Sequence, residues 1–512
     1  MVDVIIVGAG PGGSAAAIQL ARQGWQVLLL EKHTFPRDKV CGDFISPRSQ
    51  QVLANLGCLD QVAELGAHRI SGGNLFVNGR QITSSTIPGR GGLPDYGYVL
   101  PRLIFDEIVF RQAQQSGATT IEGCTVKEIY FDQDGVTVEA VQDRRPVRFR
   151  GKMIIGADGV HSIVARKLKM APQDSRSVIV ALRAYFENVQ NAEGMAELFF
   201  DDSFFPGYGW IFPLGGGRAN VGIGMVRDVY QHYDINLRKA FDDWLERDAN
   251  ARACLSEARL EGRIVGWPLN TYRREACNFA PRALLVGDAG SFVDPINGEG
   301  IHTALETATI AAGVIDEALR ASDFSAAFLS RYETRWRRAL DLDLRTSDFI
   351  VSFIQNRALK PLFMQILEMI GEQAGRDAAY AATCGGVLAG VVPVHHSLGP
   401  DIVLKTVMHG SRFWGGNVRR ASAGSLTGLL NVGLQAGSEA LDMVGDMADE
   451  PGHMASWGIN VTSKGVGLLR RLGNKYALGT ARQLISGGSA NAEPHPRITI
   501  VNMGEKNGST TK

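Results

Sequence analysis

Residues 4–14 carry the segment on which the fold prediction depends: Val4-Ile5-Ile6-Val7-Gly8-Ala9-Gly10-Pro11-Gly12-Gly13-Ser14. An unbroken apolar run meets a glycine-rich turn, and the alanine-rich stretch 14–23 that follows has the pattern of a helix. A second apolar run, Val27 to Leu30, is followed directly by Glu31. Strand, glycine turn, helix and a second strand with a terminal acid together predict a dinucleotide-binding Rossmann unit.

Each position of this fingerprint has a physical role. Gly8 permits a tight turn, Gly10 lets the backbone approach a pyrophosphate, and Gly13 allows close packing of helix and strand. The start of the helix offers unpaired N–H groups and the positive end of a dipole. Glu31 is expected to accept hydrogen bonds from the adenosine ribose. The fingerprint alone does not separate FAD from NAD.

Two later segments favour FAD. Gly156-Ala157-Asp158-Gly159 and Leu285-Val286-Gly287-Asp288-Ala289 resemble the two further fingerprints of the flavoprotein monooxygenase and geranylgeranyl reductase superfamily. In that superfamily, the aspartate that matches Asp288 hydrogen-bonds the ribityl chain of FAD. Residues 294–300 lead into a helix predicted over Ile301 to Ala321, whose N-terminal dipole would face the pyrimidine edge of the flavin.

Two more segments narrow the resemblance to the geranylgeranyl reductase family. Residues 35–42 end in Cys41-Gly42 and look like the family segment that carries a Cys-Gly beside the flavin. Residues 205–213 resemble the family's tyrosine, tryptophan, phenylalanine-proline motif at the isoprenoid site, with one residue fewer between Pro206 and Tyr208. Arg102 matches an arginine that contacts the flavin nucleotide. The matching segments span roughly residues 1 to 320.

The resemblance implies a set of functional residues. Cys41 is the candidate catalytic residue, and Tyr208, Trp210 and Phe212 are the candidate substrate contacts. The expected cofactor contacts are Gly8, Gly10, Pro11, Gly13, Ser14, Glu31, Lys32, Arg37, Gly42, Arg102, Val126, Asp158, Gly287, Asp288, Gly298, Gly300 and Ile301. The six cysteines form no CxxC pair, so no metal site is expected.

Plain structural explanations compete with three of these assignments. Arg102 near a helix start is also explained by a solvated helix face. Aromatic residues at strand spacing commonly pack a sheet, which would account for Tyr208 and Trp210. Cys41 is equally compatible with a buried, inert thiol.

The predicted fold is α/β: a Rossmann-type, glutathione-reductase-like FAD-binding domain with an inserted β-sheet substrate domain and a helical C-terminal region. The expected boundaries, in order, are the first part of the FAD-binding domain with some substrate-domain strands (1–176), the β-rich substrate domain (177–275), the return of the FAD-binding domain (276–330), the helical region (331–486) and a flexible tail (487–512).

Composition restricts the partners. The 53 basic and 53 acidic residues cancel, so no overall field favours nucleic acid. No apolar window reaches the length of a spanning helix and no signal-peptide pattern precedes the first strand, so we expect a cytoplasmic protein, with peripheral membrane contact left open. The sequence shows no second dinucleotide fingerprint, so NAD(P)H or another external donor would supply electrons.

Three flavin reactions and one non-enzymatic role follow. The leading hypothesis is reduction of carbon–carbon double bonds in the prenyl chain of a lipid or quinone. The alternative is a monooxygenase, a hydroxylase or epoxidase, acting on a hydrophobic substrate, and a flavin halogenase ranks third because its motifs match only in part. Residues 464–485 could form a basic amphipathic helix that anchors to membranes, or an ordinary surface helix packed on its own domain.

Overall fold

A computed structural model describes residues 1–170, 178–190, 194–409 and 451–486. The side chains of residues 451, 453, 474 and 476–486 are not part of that description. The predicted flexible tail, 487–512, lies outside the described residues, as does part of the predicted helical region, 410–450.

The strands of the described residues form three sheets. In chain order they are β1 (Val2–Val7), β2 (Val27–Leu30), β3 (Phe44–Ile45), β4 (His68–Ile70), β5 (Gly72–Val77), β6 (Arg80–Thr86), β7 (Gly97–Val99), β8 (Thr119–Ile121), β9 (Cys124–Phe131), β10 (Val136–Gln142), β11 (Arg145–Gly156), β12 (Val178–Glu187), β13 (Met195–Phe200), β14 (Tyr208–Gly215), β15 (Arg218–Val226), β16 (Arg259–Asn270), β17 (Phe279–Ala280) and β18 (Ala283–Leu285).

Helices pack on the two larger sheets and make up most of the described C-terminal part. In chain order they are α1 (Pro11–Arg22), α2 (Pro47–Leu56), α3 (Leu59–Glu64), α4 (Arg102–Gln115), α5 (Ile163–Lys167), α6 (Arg227–His232), α7 (Leu237–Arg247), α8 (Ala249–Cys254), α9 (Ile301–Ala321), α10 (Ala326–Ile354), α11 (Lys360–Ala374), α12 (Ala378–Leu388), α13 (400–409) and α14 (Pro451–Ser486). Short 3-10 helices include Gly287–Gly290 and Val394–Leu398.

The first sheet is the Rossmann unit. Its main path runs β17-β18-β11-β1-β2-β8, and β1 pairs in parallel with both β2 and β11. Both faces of β1 are covered, because Val4 and Ile6 belong to one apolar core and Ile5 and Val7 to another. This double burial explains the unbroken apolar run in the sequence, since a parallel strand between two layers has no polar face. The predicted α/β class is confirmed.

The second sheet follows the order β16-β12-β15-β14-β13-β5-β6. All its pairings are antiparallel except β13 with β5. Helix α7 packs Phe241 and Trp244 against one face of this sheet. Because β5 and β6 come from residues 72–86, the sheet combines chain from before and after β11.

The C-terminal helices pack on both units. A Cβ at Gly371 of α11 would lie 2.8 Å from Ile82 on β6, and one at Gly385 of α12 would lie 3.0 Å from Ser85. Helix α14 lies along α10, where Leu468 and Leu472 are buried and the Lys464 ammonium donates to the Asp348 carboxylate at 2.7 Å. The described part of α14 therefore packs on its own domain, while Val466 and Leu469 are exposed, so the membrane contact of this helix stays a prediction.

Among the helices that the structure describes, none combines the length and the apolar character that crossing a bilayer requires.

The closest backbone approach in the Rossmann unit is at Gly13 of α1. A Cβ there would lie 1.9 Å from the Gly8 carbonyl oxygen, and Gly8 itself has φ +97°, a region that L side chains disfavour. The predicted roles of these two glycines in the tight turn and the close packing are confirmed by this geometry.

We expect Gly13→Ala to lower the free energy of unfolding by about 1–3 kcal/mol, because the added methyl forces α1 away from β1. Gly313→Ala is the matched control, since it sits within α9 with the nearest atom to its Cβ 3.9 Å away, and it should stabilise by up to about 1 kcal/mol. Urea unfolding followed by circular dichroism measures both. Equal stability of the Gly13 variant and the unmutated chain would contradict the packing argument.

Candidate functional site

One cavity of about 1420 Å³ begins at the carboxyl ends of β1 and β2 and continues beneath the second sheet. Its volume exceeds the range of about 300–1,000 Å³ that is usual for a single drug-sized ligand. We call its first part the nucleotide arm, lined by Gly8, Gly10, Glu31, Arg37, Asp158 and Asp288. We call its far part the apolar arm, lined by Leu75, Phe363, Ile370, Tyr380, Leu388 and Ile402.

The cavity brings together almost all of the residues that the sequence analysis selected. Those that line it are Gly8, Gly10, Pro11, Glu31, Lys32, Arg37, Cys41, Gly42, Arg102, Val126, Asp158, Tyr208, Trp210, Phe212, Gly287, Asp288, Gly298, Gly300 and Ile301. Gly13 and Ser14 do not line it. Ser14 is fully buried, and its hydroxyl donates to the Ala9 carbonyl oxygen at 3.1 Å. It therefore stabilises the glycine turn from the side that faces away from the cavity.

The start of α1 faces the nucleotide arm. Gly10 is its N-cap and Pro11 its first residue, where a missing N–H removes no helical hydrogen bond. The atom nearest to a Cβ at Gly10 would be Arg37 Nη2, at 3.6 Å, so the backbone here meets open space beside a guanidinium. Unpaired N–H groups, a helix dipole and a cation suit a bound pyrophosphate.

Glu31 follows β2 at the edge of the nucleotide arm. Its carboxylate accepts hydrogen bonds from the Ala9 N–H at 2.9 Å and the His33 N–H at 3.0 Å, and it lies 3.7 Å from the Arg37 guanidinium. The acid is thus fixed against the glycine turn before any ligand is bound. A ribose that approached the turn would meet an oriented acceptor.

Arg102 is the first residue of α4 and is only 7% exposed. Its guanidinium donates twice to Asp106, at 2.5 and 2.8 Å, and also bonds the Cys41 thiol. The solvated-face explanation of this arginine is therefore wrong. Arg37 approaches the same Asp106 carboxylate at 2.8 Å, so one buried acid fixes two cations of the nucleotide arm.

Cys41 lies where the two arms meet. Burial raises the pKa of its thiol, and the nearby Arg102 guanidinium opposes that shift only in part. A thiol with a raised pKa stays protonated at neutral pH, which suits a proton donor rather than a nucleophilic thiolate.

The two later fingerprints reach the cavity differently. The Asp158 carboxylate accepts from the Ser162 hydroxyl at 2.5 Å and the Ile163 N–H at 2.6 Å, so it caps the turn before α5. Asp288 lies in the 3-10 turn after β18, and its charge acts on the Lys39 ammonium across the cavity. Gly300 is the N-cap of α9, whose observed bounds match the predicted Ile301 to Ala321.

The aromatic side chains of β14 form one wall of the cavity where the two arms meet. The Tyr208 hydroxyl donates to the Asn297 carbonyl oxygen at 2.5 Å, and Trp210 Nε1 donates to Asn220 at 2.9 Å. A Cβ at Gly42 would lie 3.2 Å from the Phe212 ring, so a larger residue would crowd this ring where the loop meets the wall. These rings pack against one another and also line the cavity, so the packing explanation and the substrate-contact explanation do not exclude each other.

Sequence reasoning missed two features of the site. The apolar arm is built largely by α11, α12 and α13, to which no function was assigned. Asp43, directly after Cys41-Gly42, is fully buried and bonds three other residues. Its left-handed backbone, φ +64°, could have drawn attention only once the structure was known.

Comparison with known proteins agrees with this geometry. A family model described as "FAD binding domain" matches residues 1–341. The menaquinone reductase of Mycobacterium tuberculosis is 33% identical over 328 residues, which cover 61% of this chain and 76% of the relative. Digeranylgeranylglycerophospholipid reductase 2 of Methanopyrus kandleri is 34% identical over 343 residues, 65% of this chain and 82% of the relative.

The chain belongs to the geranylgeranyl reductase family of FAD-dependent oxidoreductases. The resemblance found in the sequence is thereby confirmed. The crystal structure of a geranylgeranyl bacteriochlorophyll reductase-like protein from Thermoplasma acidophilum shares the fold, with a TM-score of 0.63 and 22% identity over 82% of this chain and 98% of that one.

The nucleotide arm fits the family's FAD. The close-packed turn, in which a Cβ at Gly8 would lie 2.4 Å from the Ala157 carbonyl oxygen, leaves backbone rather than side chain facing the ligand. Glu31, Arg37 and Asp288 supply an acceptor, a cation and a second acceptor along its length.

Asp294 belongs to the loop that enters α9 and is 8% exposed. Burial is the main cause that raises the pKa of its carboxyl to about 7, with the charges of Glu299 and Asp343 acting in the same direction. Its oxygens accept from the Ile296 N–H at 2.8 Å and the Ser347 hydroxyl at 2.9 Å.

We expect Asp294→Asn to stabilise the protein increasingly as pH rises. The folded pKa lies above the ordinary 3.8, so the folded state holds a proton that the unfolded chain has released, and stability falls between about pH 4 and 7. The asparagine oxygen can accept from the Ile296 N–H and its NH₂ can donate to the Ser347 hydroxyl oxygen, without this loss. The difference in unfolding free energy between variant and unmutated chain should grow across that window by a few kcal/mol and then level off. A difference independent of pH would contradict the assignment.

Proposed function

We propose that this oxidoreductase reduces carbon–carbon double bonds in the prenyl chain of a lipid or quinone. The supporting observation is the cavity itself, in which an apolar arm continues directly from the nucleotide arm past Cys41 and Trp210. The names of the relatives, a menaquinone reductase and a digeranylgeranylglycerophospholipid reductase, point to the same substrate class.

The lining of the apolar arm suits an uncharged chain. Helices α11 to α13 contribute Phe363, Ile366, Leu367, Ile370, Ala374, Tyr380, Cys384, Gly385, Val387, Leu388, Ile402, Val403, Thr406 and Val407. Among the described residues, none of these cavity-lining side chains is charged. Since an unpaired charge in apolar surroundings is strongly unfavourable, a diphosphate or phosphate group would be excluded from this arm. A prenyl chain would gain favourable burial along its whole length.

The residues at the junction supply the proton and the orientation. When bound and reduced, the flavin provides a hydride for one carbon of the double bond. The Cys41 thiol would give its proton to the other carbon, and the Arg102 guanidinium would stabilise the thiolate until a solvent proton restores it. Tyr208 and Trp210 would hold the chain across the junction and exclude water.

The electrons for this reaction would come from an external donor. NAD(P)H can serve by binding transiently, which requires no second dinucleotide fingerprint. Following flavin bleaching after mixing with NADH, NADPH or dithionite identifies a competent donor.

Anaerobic incubation of the FAD-loaded, reduced enzyme with menaquinone or geranylgeranyl lipids tests the function. We expect product mass to rise by one pair of hydrogens for each double bond reduced, with a matching reoxidation of the flavin. A product that gains oxygen under air would favour the monooxygenase alternative. An unchanged prenyl chain in the presence of reduced flavin would refute the proposal.

A variant in the apolar arm separates substrate binding from cofactor loading. Ile370→Trp places a larger side chain in the arm and should displace a bound prenyl chain from its reactive position. Because such a displacement costs roughly tenfold or more in rate, the rate with long prenyl substrates should fall at least tenfold. FAD content and dithionite reduction should not change. Leu65→Trp, at a 55% exposed position directly after α3 and outside the cavity lining, is the matched control and should behave like the unmutated enzyme.

We further propose that the enzyme meets its lipid at a membrane surface. Helix α13 carries exposed apolar side chains, among them Leu404 at 59% and Val407 at 65%, and Val407 also lines the apolar arm. The arm thus reaches the protein surface at an apolar rim, through which a chain could pass from a bilayer.

Flotation with phosphatidylcholine and phosphatidylglycerol vesicles tests this contact. The double variant Leu404→Asp and Val407→Asp should lose most of its vesicle binding, because two carboxylates oppose insertion of the rim. The double variant Leu65→Asp and Tyr130→Asp, which adds the same charge at exposed positions outside the cavity lining, should bind as before. Equal flotation of both variants would dismiss the rim as the contact.

A further inference from the structure

Asp43 stands at the junction without facing the cavity. It follows Cys41-Gly42, is fully buried, and has φ +64°. Its carboxylate accepts hydrogen bonds from the Tyr185 hydroxyl at 2.6 Å, the Asn220 amide at 2.7 Å and the Arg102 N–H at 3.3 Å. These partners come from three elements, β12, β15 and α4.

Asn220 links this carboxylate to both candidate reaction residues. Its side-chain nitrogen donates to Asp43 and to the Cys41 carbonyl oxygen, each at 2.7 Å, and its oxygen accepts from Trp210 Nε1 at 2.9 Å. Both N–H groups of the amide and its oxygen are thereby engaged. The amide cannot flip without breaking all three bonds, so its orientation is set by an acceptor at Asp43.

Arg183 fixes the other end of the same loop. It donates to both oxygens of Asp38 at 2.8 Å and to the Lys39 carbonyl oxygen at 3.4 Å. Its guanidinium also lies 4.1 Å from the centre of the Tyr185 ring. Loop 38–43 is therefore held to the second sheet at both ends, and Cys41 lies between them.

We propose that Asp43 is a positioning residue that, through Asn220 and Tyr185, holds Cys41 and Trp210 in register across the junction of the two arms. Its effect on turnover rests on the proposed function, whereas its effect on Cys41 itself does not. The charged and titratable groups that face Asp43 are Arg102, Arg183, Tyr185 and Cys41.

The carboxylate is required in its ionised form. Burial raises the pKa of Asp43 to about 6, against the opposing hydrogen bonds and cations. Below that pH the Asp43 carboxyl carries a proton and can donate a hydrogen bond. Since the Tyr185 hydroxyl and the Asn220 amide also donate to this carboxyl, their two hydrogen bonds cannot both persist. The network should be intact at neutral pH and should weaken as pH falls through about 6.

Asp43→Asn is the sharpest substitution, because asparagine tolerates the left-handed backbone but presents an NH₂ to groups that already donate. In the FAD-loaded enzyme, Cys41 should react several-fold faster with iodoacetamide, as mapped by peptide mass. The loop is loosened and a neighbouring negative charge that raises the pKa of the thiol is gone. The exposed Cys277 is an internal reference whose rate should not change.

Turnover gives a second readout. The value of kcat for Asp43→Asn should fall roughly tenfold or more with FAD content retained, and the acid limb near pH 6 should disappear from its profile. Asp60→Asn, on the exposed side of α3, is the matched control and should leave the alkylation rate, kcat and the pH profile unchanged. If no substrate is turned over by any form, the alkylation result still decides the inference.

Tyr185→Phe covers the case in which Asp43→Asn does not fold. Loss of this one donor should raise the pKa of Asp43, so the acid limb should move to higher pH while Cys41 alkylation rises by a smaller factor. Cys41 reactivity and a pH profile unchanged from the unmutated enzyme in whichever variant folds would overturn the positioning role.

Discussion

The contact between the backbone of α1 and the turn after β1 is the constraint on which the other features depend. Where a Cβ at Gly13 would lie 1.9 Å from the Gly8 carbonyl oxygen, helix and strand pack with no side chain between them. This approach aims the start of α1 at the carboxyl end of the parallel sheet. The nucleotide arm begins at this turn, and Glu31 is held against it by the Ala9 N–H.

The second constraint is how the two sheets are joined. Loop 38–43 leaves the Rossmann unit and is fastened to β12 and β15 by hydrogen bonds from Arg183, Tyr185 and Asn220. Hydrogen bonds are directional, so they fix the orientation of the loop relative to the second sheet, which apolar packing alone does not do. The cofactor side and the aromatic wall of β14 are thus held in one orientation to each other.

Much of the Rossmann unit could be predicted from sequence because its signals are local. The strand Val4 to Val7, the glycine turn and the helix Ile301–Ala321 each follow from adjacent residues. The Asp43 network could not be found that way, since Tyr185 and Asn220 are 142 and 177 residues away along the chain. The apolar arm was missed for another reason. An apolar helix face in α11 looks the same in sequence whether it meets a packed core or lines a cavity.

The division of the cavity between chain segments has an evolutionary consequence. The family model ends at residue 341, whereas helices α11 to α13, which line the apolar arm, lie at 360–409. Substitutions in those helices can lengthen, shorten or bend the space for a hydrocarbon tail while leaving the redox centre untouched. Selection can then change which hydrocarbon chains are accepted as substrates while the reaction at the cofactor stays the same.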